Sequence, residues 1–273
     1  FVRNSVIPNL RDAEEVCARI QRRQGIKYRA LVPNARGAER AVESKLDELL
    51  GLLTVSESYL RKNQNMTMDE AIDQGVKCFR IADAAGMGFV MALGVAMWCA
   101  YEGTIPQDKT IAVLRRLHDG GIRRFYLAGS MGMEDPMMVA SLFRRAAKEF
   151  PGCEFGYHVH NLSGQGTANV LAAVDAGASF IEGSICGIGG GIAMPTSVAS
   201  VGNLPTEDLV CMFESMGVRT GVSPQEAVAA SREIAALLGI TAGSHASQIG
   251  TRDEMLNQGK HNPRNPQTAA RDA

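Results

Sequence analysis

Charge of one sign is missing from this 273-residue chain: 28 Lys and Arg stand against 29 Asp and Glu, a net charge of −1. With no surplus of either sign, there is no electrostatic footprint for nucleic acid or for an anionic membrane surface. Long apolar runs are missing too, since Gly, Asp or Arg interrupts each one before the ~18 residues a spanning helix requires. The six cysteines (Cys17, Cys78, Cys99, Cys153, Cys186, Cys211) are far apart and never form CxxC. That spacing excludes a disulfide framework and a zinc ribbon, and leaves buried reduced thiols in a cytoplasmic setting as the expectation. No GxGxxG follows the first strand-like segment, so a dinucleotide fold is not indicated. Phe1-Val2-Arg3-Asn4 does not read as a signal peptide.

What is present is an alternation of short apolar segments with helical patterns. Strands are expected near 28–32, 48–55, 90–98, 124–128, 154–160 and 179–186. Between them the helix boundaries are signposted. Thr67 with Glu70 forms a capping box for a helix ending at Gly86, and Pro106 opens a helix that Gly120-Gly121 closes. Asp135-Pro136, Ser163, Thr206 and Ser223-Pro224 mark four more helix starts. Near-continuous apolar strands separated by helices are the pattern of a parallel sheet covered by helices. The expected architecture is α/β, a TIM (β/α)8 barrel. Six strands leave two edges unpaired, so the first two strands of such a barrel are expected to lie outside this chain. Residues 1–243 are expected to form that incomplete barrel domain, and 244–273 a polar tail, loosely ordered or a packing arm.

Chemistry-prone residues follow the carboxyl ends of the strands, where barrels place their active sites. His158 and His160 stand two apart in an apolar run, so a strand would point both imidazoles to one face. Such a pair is half of a metal site, or else two hydrogen-bonded histidines at a strand end. Asn203 is a further oxygen donor, or a helix cap. Glu207 either orients a ligand or favours the helix N-terminus that it occupies. The glycines from Gly187 to Gly191 form a mobile lid or a tight turn.

Taken together, Tyr28-Arg29-Ala30-Leu31-Val32-Pro33-Asn34, Arg61-Lys62-Asn63, Tyr101-Glu102-Gly103, His158-Val159-His160, Gly187-Ile188-Gly189-Gly190 and Gly202-Asn203-Leu204-Pro205-Thr206-Glu207-Asp208 carry a resemblance. From Pro8 to about Gly239 the chain resembles the hydroxymethylglutaryl-CoA lyase branch of the pyruvate carboxyltransferase-like, metal-dependent TIM barrels. The resemblance implies that His158, His160 and Asn203 bind a divalent metal, Mg²⁺ or Mn²⁺, with Glu207 behind them. A fourth ligand, an aspartate after the family's first strand, has no counterpart here. Tyr101, Glu102 and a lid of Gly189, Gly190 and Gly191 are implied to meet substrate, and Ser130 and Asn161 to be polar catalytic contacts.

Three positions depart from the family. Gly191 stands where the lid carries a catalytic cysteine. Ala128-Gly129-Ser130 replaces Gly-Asp-Thr, so Gly129 takes the place of an aspartate that assists proton transfer. Asn161 replaces an aspartate after the second histidine. The implied activity is retro-aldol cleavage of a 3-hydroxyacyl-CoA by a homodimer. The alternatives are an aldolase or acyltransferase acting on a 2-oxo acid, and a silent barrel serving as a scaffold.

Overall fold

In the computed structural model, residues 1–2, 5, 7–190 and 202–262 are described. They fall into two compact units, the first built on Phe1–Ile181 and the second from Glu182 onward.

The first unit opens with α1 (Ala13–Arg19), then alternates β1 (Arg29–Val32), α2 (Ala35–Val42), β2 (Glu48–Thr54), α3 (Glu57–Gln64), α4 (Met68–Ala84) and β3 (Gly88–Gly94). A small hairpin, β4 (Trp98–Cys99) with β5 (Gly103–Thr104), precedes α5 (Gln107–Asp119). There follow β6 (Arg124–Gly129), α6 (Pro136–Glu149), β7 (Glu154–Val159), α7 (Gly166–Asp175) and β8 (Phe180–Glu182), the last strand running into the second unit. The sheet order is β1-β2-β3-β6-β7-β8, and the registered pairs are parallel. This is the strand–helix succession of a (β/α) barrel, with six strands. The capping box is in place: Thr67 accepts from Glu70 N, and Glu70 reaches back to the Thr67 amide.

Register sorts the inner face into layers. Arg29 lies opposite Glu48, Glu48 opposite Gly88, and Arg124 opposite Glu154. Glu48 is only 2% exposed. Its Oε1 receives Arg29 Nε at 2.9 Å, Arg124 grips its other oxygen, and Arg124 Nε also meets Glu154 at 2.9 Å. Both guanidiniums lie over the Phe180 ring, at 6.0 and 5.8 Å. Phe180 fits because Gly156 faces it with no side chain; a Cβ there would overlap the ring. Above this ionic layer comes an apolar one of Leu50, Val90, Ala92, Tyr126 and Ala128, with Leu31 and Leu52 packed against it. Ala128 pairs with His158, so the same face that begins in arginines ends in imidazole.

One expectation needs correction and another is narrowed. The strand expected over 90–98 stops at Gly94, because Val95 turns to φ +45° and Ala96 donates to the Ala128 carbonyl. Trp98 and Cys99 then pair with Gly103 and Thr104 as a two-residue hairpin, too short for any hydropathy period to register. For the segment after Gly243 the loosely ordered alternative fails over 244–262, which is a packing arm. In the second unit, α8 (Thr206–Ser215) and α9 (Pro224–Leu238) are joined by α10 (His245–Ile249) and α11 (Arg252–Lys260). The Asp208 carboxylate accepts from Ser244 Oγ and from the amides of His245 and Ala246, which docks α10 on α8. Thr251 and Glu254 form a second capping box. The tail expectation for 263–273 lies outside the described residues. Among those described, no helix is long and apolar enough to cross a membrane.

Removing Glu48 leaves two arginines facing each other across a covered layer. Glu48→Ala is expected to lower the unfolding free energy by about 2–4 kcal/mol, read from urea denaturation; a loss within experimental error would show that the arginines are solvated well enough without it.

Candidate metal centre

Both imidazoles come off the end of β7. His158 is its penultimate residue and His160 follows it, with His160 N donating to Gly129 O at 3.0 Å, which extends the β6 pairing by one step. Their rings are 5.2 Å apart at 73°, and Tyr126 stacks on His158 at 5.6 Å. His160 is 7% exposed, and its Nδ1 is buried with no hydrogen-bond partner among the described residues. Burial, then the neighbouring His158, pushes the His160 imidazole down to about 3. It is therefore neutral at physiological pH, with a lone pair to offer.

The loop after β6 is moulded to this strand. Gly132 (φ +63°) packs on the His160 backbone so closely that a Cβ would overlap its carbonyl, and Ser163 Oγ donates to the Gly132 carbonyl. Ser130 Oγ accepts from Val95 N at 3.0 Å, which leaves its own O–H as a donor. Asn161 Oδ1 accepts from Gly166 N at 2.8 Å at the start of α7. Its amide nitrogen remains for other partners, and the helix starts two residues later than Ser163 alone suggests.

Tyr101 and Glu102 lie beside the hairpin. Tyr101 packs against Tyr59 at 5.9 Å, with Lys62 Nζ 5.1 Å from its ring. Glu102 Oε1 accepts from Ser56 Oγ (2.7 Å) and Ser58 N (2.8 Å), and Lys109 meets Oε2 at 3.2 Å. Those bonds tie the hairpin to the N-terminus of α3. Burial would raise the carboxyl's pKa, but the bonds from Ser58, Ser56 and Lys109 outweigh it and hold it at about 2.

Asn203 belongs to the second unit, where 202–206 runs beside 184–188. Ser184 N donates to Leu204 O, Thr206 N to Ser184 O, and Gly202 N to Gly187 O. The Asn203 amide nitrogen donates to Ile188 O at 2.8 Å, while its Oδ1 is buried with no partner among the described residues. Gly189 (φ +118°) makes room for it, since a Cβ would sit 2.5 Å from Asn203 Nδ2. Gly190 is exposed, and Gly191 lies outside the described residues.

Glu207 stands in the first turn of α8, where a carboxylate favours the helix N-terminus, and it also ties the second unit together. It is fully buried and accepts from Cys186 N, Ser231 Oγ (2.6 Å) and Ser247 Oγ (3.2 Å), pinning α9 and α10 to the turn at Cys186. Its partners are 21 to 40 residues away in sequence, so no local pattern announces them. Among the described residues, no three His, Cys, Asp or Glu side chains form a metal-holding group. Of the seven buried side-chain atoms without a hydrogen-bond partner among the described residues, His160 Nδ1 and Asn203 Oδ1 are nonetheless donor types that a divalent ion takes.

A family model described as HMGL-like matches residues 8–234. Hydroxymethylglutaryl-CoA lyase of Bacillus subtilis (strain 168) is 31% identical over 249 residues, covering 91% of this chain and 82% of the relative. The human mitochondrial hydroxymethylglutaryl-CoA lyase is 31% identical over 248 residues, covering 91% and 75%. Among solved structures, an HMG-CoA lyase from Acinetobacter baumannii in complex with coenzyme A and 3-methylmalate superposes with a TM-score of 0.85 at 31% identity, covering 92% of this chain and 81% of that one. The Bacillus subtilis HMG-CoA lyase structure gives 0.85 at 31% identity, covering 91% and 82%.

Glu102 ionises more readily in the folded chain than in the unfolded one. Its contribution is therefore complete above the ordinary value of 4.5 and disappears as pH falls towards about 2. Glu102→Gln is expected to lower stability at pH 7 by on the order of 1 kcal/mol. The gap to wild type should narrow between pH 4.5 and pH 3 in urea titrations, whereas a pH-independent gap would contradict the assignment.

Proposed function

The chain belongs to the HMGL-like family and is a carbon–carbon lyase, and from that premise we propose that it cleaves a 3-hydroxyacyl-CoA, hydroxymethylglutaryl-CoA-like, by retro-aldol chemistry. In this reading a divalent ion, Mg²⁺ or Mn²⁺, is held by His158, His160 and Asn203. The observations that carry it are a buried, neutral imidazole nitrogen in the first unit and a buried amide oxygen in the second, each without a hydrogen-bond partner among the described residues. A natural fold seldom leaves such atoms unsatisfied, because each costs about 1–3 kcal/mol. When bound, the ion supplies a Lewis acid and a template for substrate oxygens.

The chain's own residues supply orientation. Tyr126 fixes the plane of the His158 ring by stacking on it. Ile188 O takes the Asn203 amide nitrogen, which turns the amide oxygen the other way. Ser130 O–H and Asn161 Nδ2 remain as donors after their structural bonds are made, suited to a substrate carbonyl or carboxylate oxygen. Neither is a base at neutral pH. Tyr101, Glu102 and the glycines 189–191 are assigned to the substrate side by family position. For Glu102 that role is confined to anchoring the hairpin that presents Tyr101.

An acyl-CoA substrate accords with the neighbour solved with coenzyme A. Six free cysteines accord with the cytoplasm. Exposed Leu237, Leu238, Ile249 and Leu256 accord with a homodimer formed through the second unit. Asn161, in place of an aspartate, favours as second reading an aldolase or acyltransferase for a 2-oxo acid.

The full-length protein is expected to bind Mn²⁺ by calorimetry and to release acetoacetate or a related oxo product from a 3-hydroxyacyl-CoA. His158→Ala or Asn203→Ala should weaken Mn²⁺ binding by about 100-fold or more and abolish turnover. Unchanged activity in His158→Ala, with no Mn²⁺ binding by wild type, would defeat the proposal. Turnover of a hydroxy-oxo acid but of no thioester would select the second reading, and Mn²⁺ binding without any turnover would select a scaffold.

A further inference from the structure

Gly129 reads as a lost acid, since the resemblance places an aspartate there. The structure shows that the space is not empty. A Cβ on Gly129 would overlap Glu134 Oε1 and would lie 3.0 Å from Tyr157 Oη. The Glu134 side chain, five residues on, has folded back into the volume that a side chain at 129 would take. It is wholly buried, and its Oε1 accepts from Tyr157 Oη at 2.9 Å. Its backbone carbonyl accepts from Asn169 Nδ2 at 2.8 Å, which fastens the same residue to α7.

We propose that Glu134 is a positioning residue for the histidine strand: its carboxyl replaces the side chain missing at Gly129 and, through Tyr157 and the 129–132 turn, fixes the end of β7 that carries His158 and His160. The inference rests on the metal-ligand reading of those histidines. Tyr157 precedes His158 directly and is fully buried, with its ring edge-on to Phe143 at 5.6 Å. Anchoring the hydroxyl of that ring sets the twist of β7 at the residue before the first imidazole. On the same turn, Gly129 O accepts from both Gly132 N (3.1 Å) and His160 N (3.0 Å). Glu134 and Gly132 therefore press the loop against His160 from one side, while Tyr157 holds the strand from the other.

The arrangement makes positions 129 and 134 mutually exclusive for bulk. Glu134 has no solvent to retreat into, so a side chain at 129 can be seated only if 134 gives up its own. Burial also pushes the Glu134 carboxyl's pKa up, so that glutamine is its close mimic.

Co²⁺ is the probe, because its visible absorption reports ligand geometry directly and without turnover. The full-length protein is titrated as wild type, Glu134→Ala, Glu134→Gln, Tyr157→Phe, Gly129→Asp and the double variant Gly129→Asp/Glu134→Ala, with folding checked by circular dichroism. Glu134→Ala is expected to weaken Co²⁺ binding about 10- to 100-fold and to alter the band shape, as losses behind metal ligands do. Glu134→Gln should stay within about threefold of wild type, since it keeps the acceptor for Tyr157. Gly129→Asp should lose binding, and adding Glu134→Ala should recover at least part of it.

Wild-type affinity and spectrum in both Glu134→Ala and Tyr157→Phe, alongside loss in His158→Ala, would overturn the positioning role and leave the metal reading intact. A double variant no better than Gly129→Asp alone would likewise refute the shared volume. No Co²⁺ binding by wild type would remove the metal reading and this inference with it.

Discussion

Parallel register between β6 and β7 is the constraint on which the site depends. Ala128 opposite His158 puts the imidazole on the face that runs down through Tyr126 and the apolar layer to Arg124. A slip of one residue would turn both histidines towards the helices and bring Tyr157 inside. Several features resist that slip independently. Phe180 locks over Gly156, the Arg124–Glu154 pair spans the same two strands at their start, and Gly129 O receives His160 N at their end. The placement of the two imidazoles is thus set by pairings that extend the full length of the strands.

Glycine is used here as shaped space, with a different filler each time. At 156 the filler is an aromatic ring, at 132 it is the backbone of His160, at 129 a glutamate from the next turn, and at 189 the Asn203 amide. At 129, 156 and 189 the glycine is tied to the particular side chain that fills its space, and at 132 to a backbone approach. The backbone that these contacts shape superposes on the lyases at a TM-score of 0.85.

Much of the fold was legible in the chain because its signals are local. Strand runs, the Thr67–Glu70 box and the Asp135-Pro136 start lie within a few residues of what they specify, and the elements formed where those signals stand. The histidine pair was legible for the same reason, since two positions on a strand share a face. What escaped is long-range or too short. The β4–β5 hairpin has two residues per strand. Glu207 takes its partners from 21 to 40 residues downstream or upstream, so its part as a buried tie has no local signal. Glu134 belongs to no motif of the sequence, and only the three-dimensional turn reveals that it occupies Gly129's space. The polar composition after Ser244 left a loose tail and a packing arm both open, and the bonds that decide it for α10 come from Asp208, 36 to 38 residues away.

The ionic layer at the start of the strands also has an electrical consequence. Arg29 and Arg124 bring two positive charges, and Glu48 and Glu154 two negative ones, linked in the order Arg29–Glu48–Arg124–Glu154. At the distance of the imidazoles such a quartet leaves only higher multipoles, which fade faster than the field of a single charge. An unbalanced pair of guanidiniums at the base would repel a cation arriving above. The quartet instead sums to zero charge, so the base of the strands adds little field at the end where His158 and His160 stand.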